Sequence, residues 1–574
     1  MNTTILVALG LVIYGLMYLT YGRAWARSVV RADPAAQTPA QRLYDGVDYV
    51  PANKWVLFGH HFASIAGAAP IVGPAIAMAW GWLPAILWIW VGNVFIGAVH
   101  DYLSLMASVR HDGKSVQWIA GRLMGKRTGY LFSWFVEAML LLLMAAFMAV
   151  IAGLFVRQPA VASASMLFIV AAVIFGWALY RQKVPFGIST VGGLILMAGA
   201  IWLGALNPVA LSYKGWLAVL FVYIVFASAL PVWILLQPRD YLNAWLLWVG
   251  LAVGAAAFLV AGQALATPGY TAWSAPVIAG KPSPFWPLIP LIIACGSLSG
   301  FHALVASGTT SKQLGKEEEG LLIGYGGMFT EGLVSTVVVV AIGAFGFSAL
   351  GADAAKALAT PEGFAAGYGK AIGAVGGPIG IFSTSYALGL NAAFALPVAT
   401  MTVFAALWVA AFALTTLDTG ARLARFALAE IAEPVREQWP ALHRVLVNRW
   451  IGSLIPAAGG LWLAWGGAWS AIWPAFGGAN QLLASIALLT ASVWVSRFLH
   501  ASTGYRLLIM VPALFLWVTV TSALGWYLVM AVPTFGVNAW IMGGITVLML
   551  VLNLLLLVDY VQTMRRAPLA EAVA

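Results

Sequence analysis

Apolar runs of about 18 residues or more, the length that crosses the hydrocarbon of a bilayer, recur along this 574-residue chain from one terminus to the other. No other feature limits the fold so strongly. In lipid, only helices and closed barrels satisfy their own backbone groups. The runs lack the short alternation of barrel strands. A composition of 62% apolar and 8% charged residues is also far from that of a soluble chain. The sequence predicts an all-α polytopic membrane protein, a single transmembrane domain over residues 1–574.

Spans fall near 2–20, 56–78, 84–107, 129–155, 160–180, 185–206, 217–237, 241–265, 285–307, 320–349, 391–417, 450–467, 475–497, 506–530 and 537–559. That makes about fifteen. The Gly/Ala-rich stretch 361–390 suits a short hairpin that enters the protein without crossing. Residues 1–22 read as a retained N-terminal anchor helix, because Arg23, Arg27 and Arg31 follow the apolar segment instead of preceding it. With the N-terminus outside and the C-terminus cytoplasmic, 24 of the 29 Lys and Arg residues fall on the inner side. Only Arg157, Lys214, Lys281, Lys356 and Lys370 fall outside. The net charge of +10 is therefore a topology signal, not a nucleic-acid footprint. The single cysteine, Cys295, excludes an intrachain disulfide.

Two stretches share a pattern. "GHHFASIAG" at 59–67 and "GFHALVASG" at 300–308 both obey G-x-H-x5-G, aligning Gly59, His61 and Gly67 with Gly300, His302 and Gly308. A given histidine gains both glycines by chance roughly one time in a hundred. The first segment runs outward and the second inward, as in an inverted repeat whose site lies between the halves at mid-bilayer. The halves are read as 55–206 and 285–497, with 498–574 as added C-terminal helices. The glycines would open the backbone, and a half-helix N-terminus would hold a carboxylate. The competing reading is a small-residue packing face with satisfied histidines.

Ionisable groups within spans cost about 2.5–3.5 kcal/mol at a helix centre and point to function. Glu331 lies about eleven residues into its span, roughly 16 Å along the helix. Glu137 is similarly deep, and neither has a basic neighbour at helical spacing, so a partner must come from another helix. His61, His302, Glu331 and Glu137 are the candidate proton carriers, since imidazole titrates near neutrality and burial raises a carboxyl pKa. His60 adjoins His61, but adjacent helical residues point about 100° apart and share a site only if the helix is broken. His100, Asp101 and Asp418 lie nearer the inner surface. Asp418 is expected to pair with Arg422 at i,i+4, and Asp101 with a loop arginine, as gate ion pairs or anchors. Arg239 and Asp240 in "QPRDYL" mark an inner helix boundary, as an anchor or an inner gate. Thr309, Thr310, Thr415, Thr416 and Thr419 either ligate sodium with freed carbonyls or bond their own helices.

The blocks "WVLFGHHFASIAGAAPIVGPAIA", "LPVWILLQPRDYL", "IACGSLSGFHALVASGTTSKQL" and "IWPAFGGANQLLAS", spread over 55–485, resemble the signature segments of the carbon starvation protein A family. Ser311 departs from the family pattern, which has proline after the paired threonines. The resemblance implies a multi-pass importer in the cell inner membrane, linked to carbon starvation. It also implies a core like that of the leucine-transporter superfamily, and as cargo peptides or, in some members, pyruvate taken up with protons.

No Gly-x-Ser-x-Gly or His-Glu-x-x-His pattern appears, and the histidines are too few for a di-iron membrane enzyme. The expectation is a non-enzyme without cofactor or resident metal. It would be a secondary active importer working by alternating access, whose partners are its small-molecule substrate, a coupling proton and membrane lipid. The substrate would lie against Gly59, His60, His61, Gly67, Gly300, His302, Gly308 and Thr309. Two alternatives stay open. One is a divalent-metal transporter on which His60, His61, His100, His302 and the carboxylates converge; the other is a sodium-coupled importer. Nothing in the sequence sets an oligomeric state.

Overall fold

The computed structural model describes residues 1–466, 469–536 and 538–566, so residues 537 and 567–574 of the expected 498–574 segment, and residues 467–468 at the end of the expected span 450–467 and within the expected half 285–497, lie outside the described residues. Twelve described helices, from Thr3–Val30 to Asn538–Arg565, are long and apolar enough to cross a membrane. A thirteenth is added if one bent pair counts as a span. Strand among the described residues is one hairpin, Ser274–Ile278 against Lys281–Pro284, plus an isolated bridge.

The remaining expected spans form shorter helices. Segment 217–237 becomes Tyr213–Ala229, and 450–467 becomes Arg449–Ala464. Segment 285–307 divides into Phe285–Ile292 and Gly300–Gly308. The expected hairpin at 361–390 falls on Pro361–Ala374 and Gly377–Phe394, which meet at 88°. Gly376 and Gly377, at φ 99° and 74°, make that corner in backbone that L side chains rarely adopt.

The helix expected to begin at 241 begins at Leu236, so Pro238, Arg239 and Asp240 form its first turns. Proline is tolerated there because the first N–H groups of a helix have no intrahelical partner. Arg239 and Asp240 are at most 1% exposed. That places them in the protein interior and not at a surface anchor.

Two spans are interrupted, and they face each other. The first is Lys54–Ala66, a break at Gly67, and Ala69–Ala77. The second is Phe285–Ile292, a break over 293–299, and Gly300–Gly308. Lys54–Ala66 packs on Gly300–Gly308 and Ala69–Ala77 on Phe285–Ile292, so the two broken spans run in opposite directions. Gly67 sits at φ 52°, ψ −156°, and a Cβ there would lie 2.6 Å from Thr416 Oγ1. Gly296, at φ 83°, has Ser335 Oγ 2.0 Å from the same imagined atom. These two glycines permit the breaks.

The matched motif is placed differently from the sequence expectation. A two-fold axis in the membrane plane exchanges the ends of the bundle, so it would equate Lys54–Ala66 with Phe285–Ile292. Stretches 59–67 and 300–308 instead form two contacting half-helices at the same end. Their likeness marks neighbours at one site and not repeat-equivalent positions. Gly59 also lies inside a regular helix, where a Cβ would press on Ala244 at 3.0 Å; it is a packing glycine and opens no backbone.

Candidate functional site

A break in a buried helix frees carbonyl and N–H groups that must find partners. Side-chain amides from other helices supply several of them here. Asn480 Nδ2 donates to the Ala294 carbonyl at 2.7 Å, Asn93 Nδ2 to Gly296 at 2.8 Å and Gln481 Nε2 to Leu298 at 2.9 Å. Asn480 Oδ1 accepts from Phe301 N–H at 2.8 Å and so caps Gly300–Gly308. At the other break, Thr416 Oγ1 donates to the Ser64 carbonyl at 2.9 Å. The backbone is therefore held open by neighbours.

His302 stands one turn below the longer break, between two acids. Its Nδ1 is 2.9 Å from Asp101 Oδ2, and its Nε2 is 3.4 Å from Glu331 Oε2 and 3.2 Å from Cys295 Sγ. A carboxylate only accepts, so Nδ1 carries hydrogen toward Asp101. Asp101 Oδ1 accepts from His100 Nδ1 at 2.9 Å. The ordered chain is His100, Asp101, His302 and Glu331, all without solvent exposure. Among the described residues neither Glu331 oxygen makes a hydrogen bond of ordinary geometry, and its nearest polar neighbours are His302 Nε2 and Cys295 Sγ. A proton at the 3.4 Å contact rests either on the imidazole, giving an ion pair, or on Glu331, giving a neutral acid.

A second chain begins at His60. Its Nδ1 donates to Asp240 Oδ2 at 2.6 Å, while Nε2 faces Thr309 Oγ1 and Gln313 Nε2 at 3.3 Å each. Arg239 donates to Asp240 Oδ1 at 2.7 Å and forks onto both oxygens of Asp418, reaching Oδ1 at 3.0 Å. Tyr223 donates to Asp418 at 2.7 Å. His61, on the unbroken helix, meets Thr310 Oγ1 at 2.9 Å, and its Nε2 has no partner. The two adjacent histidines thus diverge, as unbroken helical spacing requires.

Several expected pairings are replaced. Asp418 binds Arg239 and Tyr223 and not Arg422. Arg422 reaches Asp48 at 2.7 Å and the carbonyls of Ala227 and Leu230, capping the C-terminal end of Tyr213–Ala229 where a cation is favoured. Asp101 takes two histidines and not a loop arginine. Glu137 stands apart, with Oε2 buried and, among the described residues, neither a hydrogen-bond partner for that oxygen nor an ion pair. Thr309 and Thr415 bond back to their own helices at Val305 and Ala411. The histidines do not converge on one ion position, since His60 is held by Asp240 while His100 and His302 share Asp101. A smaller set does converge: donor atoms of Cys295, His302 and Glu331 lie within 4.8 Å of one another. Cys295 lay in an apolar run and gave no signal of this. The amides of Asn93, Asn480 and Gln481 were equally silent, because a helix break shows which groups are freed but not which helix satisfies them.

Toward the arginine-rich end, Asp48 meets Arg422 and Arg425 at 2.7 and 3.5 Å. Burial pushes the Asp48 carboxyl up, and Arg422, Arg425 and Lys312 together overcome it, leaving the pKa below the ordinary value.

Comparison with known proteins covers nearly the whole chain. Residues 2–523 match the family model described as carbon starvation protein CstA. The chain is 33% identical to the "Peptide transporter CstA" of Bacillus subtilis (strain 168), over 98% of this chain and 97% of that protein. It is 32% identical to the "Peptide transporter CstA" of Escherichia coli (strain K12), over 92% and 81%. It is also 32% identical to the "Pyruvate/proton symporter BtsT" of the same strain, over 89% and 80%. Among solved structures, a manganese transporter of Eremococcus coleocola aligns with 91% of this chain and 99% of its own, at 13% identity and a TM-score of 0.48. With its signature blocks gathered at the two helix breaks, this chain belongs to the carbon starvation protein CstA family.

Proposed function

We propose that the protein is a secondary active importer of a small organic nutrient, a short peptide or pyruvate, driven by protons through alternating access. The observation that carries this reading is the buried chain at the helix breaks. His302 is held between Asp101 and Glu331, whose carboxyl ends the chain beside Cys295. Intramembrane acids facing histidines are the usual material of proton relays. The substrate would enter between the breaks, near Gly67 and Ala294–Ser299, with segments 55–206 and 285–497 moving as opposed halves. Every charged member of the chain is at most 1% exposed, so loading requires those halves to part. The names of the relatives, peptide transporter and pyruvate/proton symporter, support both the cargo and the proton. The same proposal places this starvation-linked uptake in the cell inner membrane, and the family match supports the link to carbon starvation.

The test is uptake of labelled pyruvate and dialanine into proteoliposomes, with proton and sodium gradients imposed separately. Glu331→Gln is expected to abolish proton-driven accumulation while substrate exchange persists. Full accumulation by this variant would remove Glu331 as coupling group, and accumulation driven by sodium alone would replace the proton.

The convergence of Cys295, His302 and Glu331 favours one second reading, in which the cargo is a divalent metal. Thiolate, imidazole and carboxylate together suit a transition-metal ion. Metal uptake lost in Cys295→Ser, with pyruvate and dialanine uptake absent from the wild type, would favour it.

A further inference from the structure

Directly below the site lies a separate cavity of 210 Å³. It is bounded by the far end of Gly300–Gly308, by residues 113–117, and by the Leu423–Glu430 face of Val398–Ala432. Gly308 lies six residues past His302 on the same half-helix, or about 9 Å along it. The cavity therefore adjoins the central site through one short rigid element.

Its charged groups stand apart from one another. Lys312 Nζ lies over the Phe426 ring at 4.0 Å and the Tyr49 ring at 5.4 Å, and makes no ion pair among the described residues. Asp48, the acid that faces it, is already bound by Arg422 and Arg425. Glu430 accepts from the hydroxyls of Ser115 and, at 3.2 Å, Ser133 and from the Gln117 side chain, and makes no ion pair among the described residues. Gln117, 2% exposed and lining the same cavity, has an Oε1 with no partner. Among the described residues, a cation and an acid without an ion pair thus share one small volume with an acceptor oxygen that has no donor. Unpaired polar groups of this kind carry a cost that a matching ligand removes.

We propose that this cavity is a release-side binding site for a zwitterion with a free ammonium and a free carboxylate, such as an amino acid or short peptide. The carboxylate binds Lys312, and the ammonium binds Glu430 and Gln117 Oε1. A simple anion such as pyruvate would meet Lys312 but face Glu430 with like charge and leave Gln117 unpaired. The assignment rests on the importer reading, which places the cavity on the exit path, and it adds a preference for dipolar cargo.

The experiment is equilibrium binding of dialanine, N-acetyl-dialanine, dialanine amide and pyruvate to the purified full chain, without any gradient. Lys312→Met should weaken dialanine at least tenfold and leave dialanine amide within twofold; Lys312→Arg should keep dialanine binding. Glu430→Gln should weaken dialanine at least tenfold and leave N-acetyl-dialanine within twofold. Dialanine binding unchanged in both variants, no dialanine binding by the wild type, or pyruvate bound as tightly as dialanine each overturns the proposal. Size-exclusion profiles matching the wild type exclude misfolding; if Lys312→Met aggregates, the comparison of Lys312→Arg with Glu430→Gln carries the test. Binding at this cavity without gradient-driven uptake would sink the importer reading and spare the site. Uptake by a wild type whose binding ignores both substitutions would do the reverse.

Discussion

Asp101 Oδ2 lies 2.9 Å from His302 Nδ1, and both side chains are without solvent exposure. Asp101 also accepts from His100, so one carboxylate orients two imidazoles and sets which nitrogen of His302 faces Glu331. Replacing it with asparagine keeps the shape and removes the charge. Breaking a buried pair in this way costs about 3–5 kcal/mol, because the remaining partner stays buried. Asp101→Asn is expected to lower thermal stability by that order and to cut proton-driven accumulation at least tenfold. The comparison is Asp112→Asn, which opens an Arg42 pair whose side chains are 48% and 51% exposed; there the expected change is about 0–1 kcal/mol. Equal losses from both variants, read by thermal unfolding in detergent, would contradict the buried-relay account.

The fork of Arg239 on Asp418 makes a second prediction, this time about coupling. Arg239→Gln leaves Asp418 buried without its cation and should destabilise by about 3–5 kcal/mol, while Asp418→Asn leaves Arg239 paired with Asp240 alone and should destabilise by less. The double variant leaves neither charge and should cost clearly less than the sum. Tyr223 and Asp240 still need partners, so some loss remains. A double-mutant cycle on thermal unfolding checks this, and strict additivity would mean that the two side chains do not act as a unit.

The sequence held part of this site in view. The apolar runs and the matched G-x-H-x5-G stretches led to the two interrupted spans. Glu331, lacking a basic neighbour on its own helix, required a partner from another, and His302 supplies it. Three-dimensional pairing was less legible. Asp418 and Arg422 have the spacing of a helical ion pair, but that rule weighs only neighbours on one helix. Arg239 outcompetes it by offering two parallel N–H groups, while Arg422 finds freed carbonyls and Asp48. The repeat likeness misled in register because a sequence match runs along the chain and carries no information about which end of the bundle a half-helix occupies.

Gly67 gives a conformational prediction. Its φ of 52° with ψ −156° is open essentially to glycine alone, and a Cβ would sit 2.6 Å from Thr416 Oγ1, the group that satisfies the Ser64 carbonyl. Strain of this kind costs of order 1–3 kcal/mol before the lost hydrogen bond is added. Gly67→Ala should therefore lower stability and substrate binding together. Gly153→Ala, at a helical site with nothing within 4 Å of the added methyl, should be neutral or slightly stabilising. Thermal unfolding and dialanine binding of both variants provide the check, and a stable, fully binding Gly67→Ala would show that the break tolerates a side chain.

Lys312 makes the exit cavity sensitive to pH. Burial pushes its pKa down to about 8, with Asp48 and Glu430 opposing and Arg422 and Arg425 reinforcing the shift. Tyr49 and Lys114 complete the titratable groups around the cavity, and burial with nearby acids pushes Tyr49 up to about 12. Between pH 7 and 9 the charged fraction of Lys312 falls from about nine-tenths to about one-tenth. Dialanine is an ambiguous probe here, since a free α-amino group titrates at about 7.7–8.0. N-acetyl-dialanine keeps one charge throughout. Its affinity is expected to fall about tenfold across that interval in the wild type and to stay flat in Lys312→Met. Stability of the unliganded protein should move the other way. With the folded pKa below the unfolded value near 10.4, the unfolded chain binds more protons from about pH 8 upward, so this group favours the folded state as pH rises. Opposite slopes for binding and stability, from one lysine, separate a ligand-binding ammonium from one that merely packs against aromatic rings. Parallel slopes would assign Lys312 the packing role.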